Sequence, residues 1–148
     1  MLFRSAQSIA LYPSLGLFEG TIINAGRGTP QPFQRYGSKD LDPRVFGFSY
    51  EVTSTPGAKY PKQLGERCYG EDLSQVEVSK KINLEWLLKA YHHHKGDFFK
   101  SESFKLHSGQ SALEEMIQSG FTENQIRATW EKDLEAFKVI RSRHIMYP

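Results

Sequence analysis

Only one of the 148 residues is a cysteine, Cys68. An internal disulfide and a thiolate metal cluster within one chain are thereby excluded, while the redox compartment stays open. Long hydrophobic runs are missing too: no segment reaches the length of a transmembrane helix, and Met1 to Arg4 is too short for a signal peptide. Nor does charge of one sign dominate. The 19 Lys and Arg against 17 Asp and Glu leave a formal net charge of +2, too evenly spread for the basic face that neutralises phosphates along a nucleic acid. Internal repeats and low-complexity tracts are absent. So is a phosphate loop or dinucleotide fingerprint, since Gly26-Arg27-Gly28 lacks the third glycine and the helix that would follow. Nucleophilic catalysis has little to build on, with no Gly-x-Ser-x-Gly elbow and no motif neighbour to lower the Cys68 pKa.

What is present describes a folded protein. Hydrophobic residues make up 39% and aromatics 13% of the chain, enough to bury a core within one domain. Residues 1 to about 65 carry most glycines and all but one of the prolines, and read as loops and short strands. Ala6 to Leu11 and Val45 to Val52 are the better strand candidates, the second with Phe46, Phe48 and Tyr50 on one face. Thr53 to Gly65 is expected as a surface loop, and Glu66 to Tyr69 and Gln75 to Val78 as weak strands. The second half changes to helical spacing. Leu84, Leu87, Leu88 and Tyr91 behind Asn83 predict a helix over about 84–94. Ser111 and Glu114 predict a capping box ahead of a short helix that Gly120 stops. Thr122 and Gln125 predict a second box, with Phe121 and Ile126 as a staple and Ile126, Trp130, Leu134, Phe137 and Ile140 as an inward stripe to about Arg141. The fold class is α+β: a small mixed or antiparallel sheet from the first half packed with about three helices from the second. The abrupt start suggests a piece of something longer.

Two constellations draw attention. His92-His93-His94 cannot converge on one ion from a helix, because successive residues point about 100° apart; helix-end histidines facing the dipole and solvent are the expectation. Neither a metal nor a cofactor is expected. Leu17-Phe18-Glu19-Gly20-Thr21 followed by Gly26-Arg27-Gly28-Thr29 and Pro32-Phe33 sets one carboxylate and one guanidinium in backbone kept bare by glycines. Arg27 offers a planar fork to a carboxylate, and Glu19 accepts from hydroxyl or amide groups. The plainer reading pairs Glu19 with Arg27 and lets the glycines turn the chain. Glycosidic hydrolysis normally needs two facing carboxylates, and Glu19 supplies at most one. Tyr12, Phe33, Tyr36, Tyr60 and Tyr69 are candidates to line a cleft.

These residues also carry a resemblance. Tyr12 through Thr21, Gly26 to Thr29 with Pro32-Phe33, Gly65 to Leu73, and Trp130 to Phe137 through Met146-Tyr147 are similar, in order and over nearly the whole chain, to the C-terminal part of exo-β-N-acetylmuramidases of the Bacteroidetes type. These are NamZ-like glycoside hydrolases that recycle peptidoglycan. The resemblance implies an enzyme that releases N-acetylmuramic acid from non-reducing ends, with an N-terminal Rossmann-like domain, a C-terminal auxiliary α+β domain and a cleft between them. Residues 1–10 would be a linker remnant and 11–148 the auxiliary domain. The catalytic glutamate of the family lies in the N-terminal domain, so this chain alone is expected to hydrolyse nothing and to contribute no catalytic residue.

Carried over by position, the substrate-binding candidates are Glu19, Thr21, Arg27, Thr29, Phe33 and Tyr69, with Arg27 meeting the lactyl carboxylate of muramic acid. Where the family has Asn and Ser after Phe-Glu-Gly-Thr, this chain has Ile22 and Asn24. The implied partners are the missing Rossmann-like domain and a muropeptide or other muramic-acid saccharide. An uncovered interdomain surface should also favour self-association. The implied location is the periplasm or cell envelope. The alternative is a non-catalytic binding or interaction module that docks to a separate Rossmann-like chain or to peptidoglycan.

Overall fold

A computed structural model describes residues 5–146; Met1 to Arg4, Tyr147 and Pro148 lie outside the described residues. The chain opens with α1, Ala6–Leu15, and passes directly into a 3-10 helix, Gly16–Gly20. A strand was expected over Ala6 to Leu11. A helix forms instead because Ser5 caps it, its side chain accepting from the Ser8 amide, and because Ser8, Leu11 and Leu15 recur on one buried face at helical spacing.

Three antiparallel strands follow, β1 (Arg35–Ser38), β2 (Phe48–Glu51) and β3 (Arg67–Asp72), in the order β1-β3-β2. All lie in the first half, as the α+β reading anticipates. Their details differ from expectation. The Val45 to Val52 strand shortens, since the amides of Val45 and Phe46 both donate to the Asp42 carbonyl in a turn. Gln75 to Val78 forms no strand, and β1 has no alternating pattern to announce it. At the sheet centre Gly70 stands opposite both Gly37 and Phe48. A Cβ on Gly70 would sit 1.8 Å from the Tyr36 carbonyl oxygen.

The second half supplies α2 (Glu85–His92), α3 (Ser101–Ser108), α4 (Ala112–Gln118) and α5 (Glu123–Ser142). The N-cap position of α2 falls on Leu84, one residue after the expected Asn83, whose Oδ1 still accepts from the Glu85 amide at 2.8 Å. The unanticipated α3 buries little besides Phe104, and its backbone rests on the 3-10 helix: a Cβ at Gly20 would come within 2.3 Å of the Phe104 Cα. Gly20 is therefore a site of close approach within the chain. The capping box of α5 is complete in both directions, but Ser111 makes no such cap on α4. Glu114 is instead buried and accepts from the Ser101 hydroxyl at 2.7 Å, joining α4 to α3.

One core runs through Leu11, Phe18, Ile23, Tyr36, Phe46, Leu87, Phe104, Ile117 and Ile126. A smaller cluster of Tyr50, Val52 and Cys68 lies under β2 and β3. The inward stripe foreseen for α5 holds only at its start. Ile126 is buried and Trp130 partly so, whereas Leu134, Phe137 and Ile140 are 47%, 56% and 54% exposed.

Candidate functional site

The 3-10 helix and the turn that follows β-bridge Asn24–Gly37 bring Glu19 and Arg27 together. Arg27 Nη1 lies 3.6 Å from Glu19 Oε1. Gly26 and Gly28 flank the arginine with φ of 76° and 84°, the left-handed region that glycine enters without steric cost. Close approach is satisfied by the chain itself: a Cβ on Gly28 would lie 2.5 Å from the Thr53 carbonyl oxygen and 2.7 Å from Pro61 Cγ. A Glu19–Arg27 contact and glycines that turn the chain are thus both present.

The pair is nevertheless at the surface. Arg27 stands between two adjoining concavities. One, of about 360 Å³, is walled by Gly28, Thr29, Pro30, Pro32 and the 53–58 loop. The other, of about 220 Å³, is walled by Glu19, Ile23, Asn24, Tyr60, Pro61 and Lys62. Among the described residues no hydrogen bond engages the Arg27 guanidinium, and its one ion pair is long. Donors therefore remain for a planar anion.

Lys62 organises this site, and sequence reasoning missed it. Its Nζ donates to the carbonyls of Phe18, Glu19 and Thr21 at 2.8, 2.8 and 2.7 Å. All three ammonium protons are thus committed to the end of the 3-10 helix and its cap residue Thr21, where helix-end carbonyls run short of backbone donors. Burial pulls the Lys62 ammonium down to about 8, opposed by the Glu19 carboxylate and reinforced by Lys100 and Arg27. Asn24 ties the same loop to the arginine turn. Its Nδ2 donates to the carbonyls of Lys62 and Arg27 at 2.8 and 3.0 Å, and its Oδ1 accepts from the Gly26 amide at 2.6 Å. The Asn24 that departs from the family pattern is therefore a hub of the loop. Tyr60, 89% exposed, lines the rim beside it.

The other candidates divide. Thr29 lines the larger concavity, though its hydroxyl donates to the Gly26 carbonyl at 2.7 Å and accepts from the Gln31 amide. Thr21 is fully buried; its hydroxyl donates to the Phe18 carbonyl and accepts from the Ile23 amide, which closes the turn that carries Glu19. Phe33 is buried, with φ 58° and Tyr12 edge-on at 5.0 Å. Tyr69 lies on β3, partly buried against the core, and lines neither concavity at Arg27. Tyr36, offered for the cleft, is buried and donates to Glu71 at 2.7 Å.

The histidines end α2 separately. His92 Nδ1 meets the Leu88 carbonyl at 2.7 Å, His93 lies edge-on to Phe46 and His94 to Phe98. Among the described residues, no three His, Cys, Asp or Glu side chains are placed to share a metal ion. Among the described residues no helix is long and apolar enough to cross a membrane.

The family model for "Exo-beta-N-acetylmuramidase NamZ, C-terminal" matches residues 10–147. The chain belongs to this family. It is 26% identical over 159 residues to the peptidoglycan beta-N-acetylmuramidase NamZ of Bacillus subtilis (strain 168), covering 97% of this chain and 38% of that protein. A crystal structure of a DUF1343 family protein from Bacteroides fragilis NCTC 9343 superposes with a TM-score of 0.87 at 40% identity, covering 95% of this chain and 40% of that one. The chain thus spans about two fifths of the length of these relatives. It is the C-terminal domain of the NamZ architecture.

Proposed function

We propose that this NamZ C-terminal domain forms one wall of the cleft that holds N-acetylmuramic acid, with Arg27 receiving the lactyl carboxylate. Muramic acid differs from the other amino sugar of peptidoglycan by that carboxylate, so an enzyme named for it needs a cation to tell them apart. The observation that carries the reading is Arg27 itself. It sits on the ridge between two concavities, flanked by turns that leave its guanidinium facing solvent, and it is held by a single 3.6 Å contact to Glu19. A substrate carboxylate would add the paired N–H bonds that Glu19 does not make, while Glu19 keeps the fork oriented or accepts from sugar hydroxyls. Tyr60 beside it offers a ring face for the pyranose. Hydrolysis itself is the task of the N-terminal part.

The test replaces Arg27 in the muramidase that includes the N-terminal part and measures turnover of a chromogenic N-acetylmuramide. A charge-assisted bond to a carboxylate is worth about 1.5–3 kcal/mol, so Arg27→Ala should cut kcat/KM by roughly ten- to a hundredfold, mostly through KM. Arg27→Lys should recover part of it. The same substrate with its lactyl carboxylate converted to the amide should be insensitive to the substitution. Unchanged muramide turnover in Arg27→Ala would remove the reading.

A further inference from the structure

Among the described residues, nothing covers the distal half of α5. Every residue from Glu131 to Met146 is exposed, yet the composition is not that of a solvated helix. At 100° per residue, Ile126, Trp130, Leu134, Phe137 and Ile140 fall within one sector of about 120°. The sector is buried at Ile126, partly buried at Trp130 and open at Leu134, Phe137 and Ile140. A single apolar row therefore leaves the domain core and continues beyond its edge for three more turns.

Local forces do not account for that extension. The exposed Glu135–Lys138 pair at 2.6 Å is of the kind that adds little to a helix, and helices in proteins owe most of their stability to packing of an apolar face. The flanking charges, Glu131, Lys132, Asp133, Glu135, Lys138, Arg141 and Arg143, carry both signs. A lipid surface or a polyanion would ask for a basic border, and a protein surface does not.

The occupant follows from what the relatives contain. The superposition on the Bacteroides fragilis chain takes in 95% of this chain, so it includes most of α5. In that relative the matched region is 40% of the chain, and the rest is tethered to it. A tethered partner acts at an effective concentration in the millimolar range, well above that of a free second copy in dilute solution. We propose that Leu134, Phe137 and Ile140 of α5 form the seat for an apolar surface of the N-terminal part of the muramidase. The proposal is independent of which sugar Arg27 meets.

Hydrogen exchange of the amides of residues 131–142 tests it, measured in the 148-residue chain and in the polypeptide that also carries the N-terminal part. Exchange should be fast in the short chain and at least a hundredfold slower in the long one. Phe137→Asp should restore fast exchange in the long polypeptide while leaving the circular dichroism and Tm of the short chain unchanged, because Phe137 is exposed there. Should that variant fail to fold in the long form, Leu134→Ala with Ile140→Ala serves, with α2 amides as the folding control. Equal exchange in the two forms would overturn the proposal. Slow exchange in the short chain that deepens with its concentration would overturn it too, by making a second copy the occupant.

Discussion

Replacing Lys62 by Met keeps the length of the side chain and removes its ammonium. Three carbonyls, of Phe18, Glu19 and Thr21, then lose donors at 2.7–2.8 Å. Charge-assisted bonds contribute about 1.5–3 kcal/mol each, so three contribute roughly 4–9 kcal/mol. Against this stands the cost of burying the charge. The ammonium is lowered from 10.5 to about 8, which at about 1.4 kcal/mol per pH unit is ~3 kcal/mol before screening by the solvent that still reaches the group. The net loss in Lys62→Met is then about 1–6 kcal/mol, centred near 3 kcal/mol. For a chain of this size that lowers Tm by roughly 6–12 °C, read by circular dichroism at pH 7. The pH dependence has a definite sign. Below pH 8 the amine is protonated in both folded and unfolded chains. Between about 8 and 10.5 the unfolded chain holds a proton that the folded one has released, so stability rises with pH in that window. The margin of wild type over Lys62→Met should therefore widen from pH 8 to pH 10. A Tm within 2 °C of wild type at pH 7 would refute the idea that Lys62 clamps the turn beneath Glu19, and a margin that narrows over that range would refute the lowering of its ammonium.

Gly70→Ala places a methyl 1.8 Å from the Tyr36 carbonyl, where neither β1 nor β3 can yield without losing register; the expected cost is about 3 kcal/mol or more, seen as a large fall in urea midpoint. Cys68 is fully buried, and burial with the nearby Glu66 and Asp40 carboxylates pushes its thiol up to about 12. Iodoacetamide at pH 8 should leave it unmodified in the native chain and alkylate it in urea, as mass spectrometry would show; rapid native labelling would contradict the packing of β2 and β3.

Elements whose signals are local were legible. Thr122 and Gln125 lie within one turn of each other, and their reciprocal bonds form as spacing alone requires. Asn83 and Gly120 likewise do what their residue types favour at a helix start and stop. The Glu19–Arg27 pairing was also within reach, because they lie eight positions apart across glycine turns. Patterns with two solutions were misread: Ala6 to Leu11 suits a strand until Ser5 is recognised as a cap. The Ser111–Glu114 box failed for a different reason, since Ser101 on α3 competes for the same carboxylate.

The amino-acid order by itself determined the α+β class, the helical second half, the cap chemistry and the family, because each rests on residues close in the chain or on motifs read in sequence. Tertiary structure alone decided what lies 41 to 44 positions apart: Lys62 on the carbonyls of Phe18, Glu19 and Thr21, and with it where Arg27 faces. It also decided that the apolar row of α5 leaves the core after Trp130. Helical periodicity reports that a face is apolar, and only the positions of the other elements say whether anything covers it.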